Sequence, residues 1–140
     1  MLTNLRPYVL LAENHPLLEK PELTPHDLAE FPMILLNSSP SREYFQKILT
    51  DVGVTPNIAF QSSSFEMVRG MVGHGLGFTL LSTKPASAMT YDGKALMTRR
   101  LVSDIEPSHV VLAVKKGRKL SKPAEEFLWF CRESFAVDEE

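Results

Sequence analysis

The amino-acid sequence predicts an α/β fold, on two observations. Short apolar runs alternate with amphipathic stretches at the pitch of a strand, helix, strand repeat. The runs are continuously apolar instead of alternating with polar residues, as parallel strands covered on both faces require, and the crossovers between them are expected to be right-handed. The 140 residues are 44% hydrophobic and 23% charged, enough to bury the core of one domain. A net charge of −2 creates no field drawing the molecule to nucleic acid or to an anionic membrane, so partners must be argued from local features.

Taken in order, Tyr8 to Ala12 is too short for a helix, lies between Pro7 and Asn14-His15-Pro16, and reads as a buried strand. His15 just beyond it fixes the bend, since no second histidine or cysteine stands at metal-ligand spacing. Thr24-Pro25-His26-Asp27 is a capping box with proline at the first helical position, and Leu23 and Leu28 supply the staple for a short helix over 25–31. Met33 to Leu36 is the next strand. A helix over 40–52 follows, with Phe45, Ile48, Leu49 and Val52 as its apolar stripe and Gly53 as its stop. Asn57 to Gln61 is a strand, residues 63–73 a helix with Phe65, Val68, Met71 and Val72 inward, and Gly77 to Ser82 a further strand.

Beyond Lys84 the pattern changes. Asp92-Gly93 has the composition of a type I′ hairpin turn. Ser103 to Ser108 is polar and reads as a connector, Val110 to Val114 as a strand, and residues 122–135 as a helix with Ala124, Phe127, Leu128, Cys131 and Phe135 on one face. Cys131 on that stripe reads as a core residue, and a lone thiol rules out an internal disulfide and fits a reducing compartment. The chain closes on an acidic tail, D-E-E.

Two stretches carry the candidate chemistry. N-S-S-P-S-R-E-Y over 37–44 and Q-S-S-S-F-E over 61–66 each follow an apolar run and open a helix. Each offers free backbone N–H groups beside short hydroxyl donors, which is how a helix N-terminus holds a small anion. Capping is the alternative use of these serines: Ser39 as an N-cap before Pro40, and Ser63 with Glu66 as a capping box. One cap needs one hydroxyl, so the several at 38 and 39 leave room for a guest.

Other motifs fit chemistry less well. Gly73-His74-Gly75-Leu76-Gly77 has the look of a phosphate loop but follows a helix and precedes a strand, the wrong order for a helix tip to face a phosphate. A helix C-cap and tight turn account for Gly73 and Gly75. There is no nucleophile elbow and no metal-ligand spacing, and the close carboxylates Asp104 and Glu106 sit in the connector as solvated charges. The basic run Lys115-Lys116-Gly117-Arg118-Lys119 lacks interleaved aromatics and reads as an exposed loop. Binding is favoured over catalysis, with no cofactor and no metal. No apolar run approaches the roughly 18 residues of a membrane span, and no signal peptide opens the chain, so a cytoplasmic protein is expected.

The segments P-Y-V-L-L-A-E-N-H-P-L, D-L-A-E-F-P-M-I-L-L-N-S-S-P, M-V-G-H-G-L-G-F-T-L-L, V-V-L-A-V-K-K-G and F-L-W-F-C, in that order, resemble the effector-binding domain of LysR-type transcriptional regulators. The likeness covers about residues 5–135. It implies a type II periplasmic-binding-protein fold, in which two α/β subdomains joined by two crossings hold an inducer. Residues 1–106 would form the second subdomain, and 107–140 would return a strand and helix to the first. The rest of the first subdomain and the DNA-reading helix-turn-helix with its linker helix have no counterpart here, so the resemblance implies a fragment without direct nucleic-acid contact.

The family's effector contacts would fall on Ser38, Ser39, Tyr44, Gln61, Ser62 and Val110, and the effector would be a small carboxylate or aromatic. Homo-oligomers are implied. The returning strand and helix would pack back on the second subdomain or exchange with another copy. The alternatives are an enzyme of amino-acid biosynthesis on a similar fold, which would need an acid and base pair or a phosphate clamp, and a bare assembly module.

Overall fold

The computed structural model of the protein describes residues 1–136, so the acidic tail lies outside the described residues. The elements are β1 (Thr3–Leu5), β2 (Tyr8–Ala12), β3 (Met33–Leu36), α1 (Ser41–Thr50), β4 (Ile58–Ser62), α2 (Phe65–Gly73), β5 (Thr79–Leu81), β6 (Leu96–Arg100), β7 (Ser108–Val110) and α3 (Lys122–Ala136). Short 3-10 helices at Pro16–Glu19 and Pro25–Leu28 bridge β2 and β3. They divide into two compact units, Pro7–Glu106 and a second made of Met1–Arg6 with the chain from Pro107 onward. The first six residues therefore group with the returning segment, and not with 7–106 as a boundary at 106 alone would have it, because β1 pairs antiparallel with β7 (Thr3 opposite Val110).

In the larger unit β2 is the buried spine, with all five residues inaccessible. It pairs antiparallel with β5 on one side and β6 on the other. β3 pairs parallel with β4 and touches the start of β5 through the Met33–Phe78 bridge, giving the strand sequence β4, β3, β5, β2, β6 across the unit. The expectation of an all-parallel sheet is thus corrected, since β2 runs against its neighbours. Leu11, Leu35 and Leu80 on these strands are essentially sealed from solvent, each burial contributing about 2 kcal/mol before chain entropy is counted. β4 departs from the pattern: its residues are exposed or half-buried, with Phe60 45% exposed, because it forms the outer end of the strand sequence.

Helix faces follow the sequence with local shifts. α1 buries Phe45, Ile48 and Leu49, but Val52 lies past its end and is exposed. Gly53 adopts φ +78°, and Gly53 N–H and Val54 N–H return to the Thr50 and Leu49 carbonyls, which closes α1. α2 buries Val68 and Val72, while Phe65 and Met71 pack half-buried against the core. α2 ends in the same way: Gly75 at φ +77° returns its N–H to Val72 and Leu76 to Met71. Buried Arg69 on α2 donates to Glu66 and to the Ser87 and Met89 carbonyls, tying down the segment after β5.

The 25–31 helix shortens to Pro25–Leu28, where Thr24 N–H donates to Asp27 Oδ2 at 2.8 Å. Asp27 is held down to about 2 by Lys20 and by the Thr24 N–H. The Asp92-Gly93 turn is not type I′, which needs positive φ at both central residues; only Gly93 has it, at +86°. Gly93 N–H returns to the Thr90 carbonyl, and Thr90 N–H to Lys94, as in a three-residue loop with a glycine bulge.

In the smaller unit the strand lies at Ser108–Val110, earlier than the expected 110–114 and sharing only Val110 with it, and Val111 and Val114 are exposed. α3 spans the expected helix, but none of its residues is buried. Phe127, Trp129 and Phe130 are more than half exposed, and Cys131 is half-buried instead of core.

Candidate functional site

Because β3 and β4 run parallel and in register to Leu36 opposite Ser62, the loops that leave them share one edge, and Asn37 N–H donates to the Ser62 carbonyl at 2.8 Å. From β3 the chain steps outward to β4 and then back past β3 to β5. Since crossovers between parallel strands are right-handed as a rule, two that run in opposite directions put α1 and α2 on opposite faces. The two serine-rich tips therefore flank the carboxyl edge of the strands from either side instead of facing each other.

At the α1 tip, Ser38 and Ser39 are exposed. Ser39, the expected N-cap, does not cap: α1 begins behind Pro40 with no side-chain cap, and the Ser39 hydroxyl donates to the Glu43 carboxylate at 2.7 Å. Arg42 reaches both ways from the first turn, to Asn37 Oδ1 at 3.0 Å and to Glu43 Oε1 at 2.6 Å. Hydrogen bonding from Ser39, then from its own backbone N–H and from Arg42, holds the Glu43 carboxyl down to about 2. The tip is thus a cluster of donors already gathered around one carboxylate, with Arg42 and Glu43 cancelling in charge.

Tyr44 is half-buried. Its ring tilts against Phe45 at 5.4 Å between centroids, and its hydroxyl donates to the Glu106 carbonyl at 2.8 Å. At the α2 tip the cap is one residue later than the expected Ser63 box. Ser64 Oγ accepts from Met67 N–H at 3.2 Å, Ser62 Oγ accepts from Ser64 N–H at 3.1 Å, and Glu66 turns to Arg69. Ser63 carries no cap, and Gln61 is exposed on β4. Ser38, Ser39, Tyr44, Gln61 and Ser62 all belong to the larger unit, whereas Val110 ends β7 in the smaller one.

Sequence reasoning passed over Ser82. It follows β5 on the same edge, and its hydroxyl is buried without a hydrogen-bond partner among the described residues. Read as the last residue of an apolar strand, it gave no signal. An open groove of about 510 Å³ runs from Ser64 at the α2 tip between α2 and the 89–95 turn, lined also by Met67, Met71, His74, Tyr91 and Asp92. There His74 Nε2 meets Asp92 Oδ2 at 2.5 Å. Hydrogen bonds from Thr90 and then His74 hold the Asp92 carboxyl below its ordinary value. No group of three or more histidine, cysteine or acidic side chains is placed to hold a metal ion among the described residues. No helix among them is long and apolar enough to cross a membrane.

The family described as the LysR substrate binding domain matches residues 2–136. Among solved structures, HinK, a LysR family transcriptional regulator from Pseudomonas aeruginosa, is similar at 45% identity and a TM-score of 0.88, over 94% of this chain and 46% of that one. The C-terminal domain of a probable LysR family transcriptional regulator from Rhodococcus sp. RHA1 is similar at 32% identity and a TM-score of 0.87, over 93% and 64%. The effector binding domain of QuiR in complex with shikimate shares the fold at 19% identity and a TM-score of 0.79, over 97% and 64%. The chain thus spans about half to two thirds of these proteins. No curated protein sequence matches it.

Proposed function

The chain belongs to the LysR substrate-binding domain family, with the type II periplasmic-binding-protein-like fold of its neighbours, and from that premise we propose that it is a ligand-sensing part of a LysR-type transcriptional regulator. Its effector is a small organic acid, held at the carboxyl edge of β3 and β4 by Ser38, Ser39, Tyr44, Gln61 and Ser62. DNA contact belongs to a helix-turn-helix part of the parent regulator, which works as a cytoplasmic homo-oligomer and has no catalytic step of its own.

The observation that carries this reading is the α1 tip, where a serine hydroxyl and an arginine already hold a carboxylate, that of Glu43. An acid arriving there exchanges with Glu43 for the same donors. Open-edge loops after parallel strands are also where α/β folds place ligands. The enzyme alternative has no comparable support: Asp104 and Glu106 are exposed in a loop.

The test is thermal unfolding with and without small acids, shikimate included, at millimolar concentration. A ligand that binds only the native state raises the melting temperature in proportion to ln(1 + [L]/Kd). The reading expects a rise in the wild-type protein and a smaller one in Ser39→Ala, and no rise with any acid would contradict it.

A further inference from the structure

We propose that Tyr44 is a latch between α1 and the outgoing crossing of the larger unit, so that occupancy of the candidate site sets the freedom of residues 103–106. The part concerning occupancy rests on the effector reading above; the latch itself does not. Both crossings between the units fall at an X-Pro step, Arg6-Pro7 and Glu106-Pro107. Proline fixes its own φ and holds the preceding residue extended, so the Glu106 carbonyl is presented in a restricted direction. The segment before it has no regular secondary structure. What fixes it is a pair of anchors: Ile105, packed half-buried against the core, and the Tyr44 hydroxyl on the Glu106 carbonyl at 2.8 Å.

The donor is well placed to act as a fixed point. Its ring is half-buried beside Phe45, whose side chain is in the core, and α1 holds the backbone one turn from the serine-rich tip. Lys47, one turn further along α1, adds attraction to the Glu106 carboxylate, although its closer partner is Asp51. Tyr44 therefore holds the last residue of the unit by direct contact, and Lys47 acts on it only through longer-range attraction. The same Tyr44 hydroxyl is a donor a small acid at the α1 tip would compete for. A guest that takes it frees the Glu106 carbonyl and loosens the crossing, which is how a small ligand with differential contacts shifts a conformational equilibrium.

Backbone ¹⁵N relaxation on ligand-free protein tests the latch. In the wild type, residues 103–106 should have order parameters near those of rigid backbone, about 0.85. In Tyr44→Phe they should fall toward the flexible range, below about 0.6, while β3 and β4 are unchanged. Lys47→Gln, at a fully exposed site where folding is not at stake, should lower the same residues by less. Equal order parameters in all three proteins, or a loss spread evenly over the unit, would overturn the latch. Since no ligand is present, that failure leaves the effector reading intact, and a failed thermal shift leaves the latch intact.

Discussion

Two single residues carry pH dependence of the same sign. Burial pushes the His15 imidazole below its ordinary value, and its Nδ1 accepts the Leu17 N–H at 3.1 Å, which only an unprotonated ring nitrogen can do. A folded value below the unfolded one stabilises the native state above pH 6.5, and that contribution is lost as the pH falls through the lowered value. Denaturation midpoints should therefore decline from pH 7.5 to 5.5, and the decline should shrink in His15→Asn, which keeps an acceptor but cannot titrate. Glu43 behaves likewise at lower pH, its contribution present above the ordinary value of 4.5 and lost as the pH falls toward about 2. Removing the first of its partners in Ser39→Ala should raise its midpoint toward the ordinary carboxylate range, read from the side-chain carboxyl ¹³C shift. The role of Ser39 was not legible in the sequence. A serine before Pro40 looks like a cap, and only the placement of Glu43 four residues later redirects its hydroxyl.

At the scale of elements, two glycines near the end of α2 differ in what they tolerate. A Cβ on Gly77 would lie 2.4 Å from the Pro32 carbonyl oxygen, a backbone atom fixed by its bond to Phe78 N–H, so β5 and the start of β3 would have to part. A Cβ on Gly75 would meet nothing within 4 Å, and the cost there is only that of a left-handed residue at φ +77°. Gly77→Ala should lose about 3 kcal/mol or more, and Gly75→Ala about 1 kcal/mol, measured by urea unfolding. The element types were readable because local patterns fix them: β2 and β3 lie at the residues the apolar runs mark, and both helix stops are glycines. The α2 cap was not readable among three consecutive serines. Pairing of Ser62 with Leu36 sets where β4 ends, and so leaves Ser64, not Ser63, at the helix start. The Asp92 turn was missed for a related reason: the Asp92 side chain is bound by Thr90 and His74, and only glycine takes positive φ.

For the whole molecule, the α/β class and family followed from the order of the motifs, while strand direction did not. An apolar run such as Y-V-L-L-A is equally buried whichever way it runs, so nothing local marks β2 as antiparallel. The apolar face expected on α3 is exposed in the single chain, because hydrophobic periodicity marks a face without supplying its cover. With Phe127, Trp129 and Phe130 exposed, the protein should self-associate. Its sedimentation coefficient should rise with concentration, and Phe127→Lys with Phe130→Lys should flatten that rise. Where a small acid binds is the central question, and chemical-shift mapping with millimolar small organic acids measures it directly. Perturbations centred on Ser38, Ser39, Tyr44, Gln61 and Ser62 are expected. Perturbations confined to the groove at Met67, Met71 and His74, or none with any acid, would contradict the proposed site.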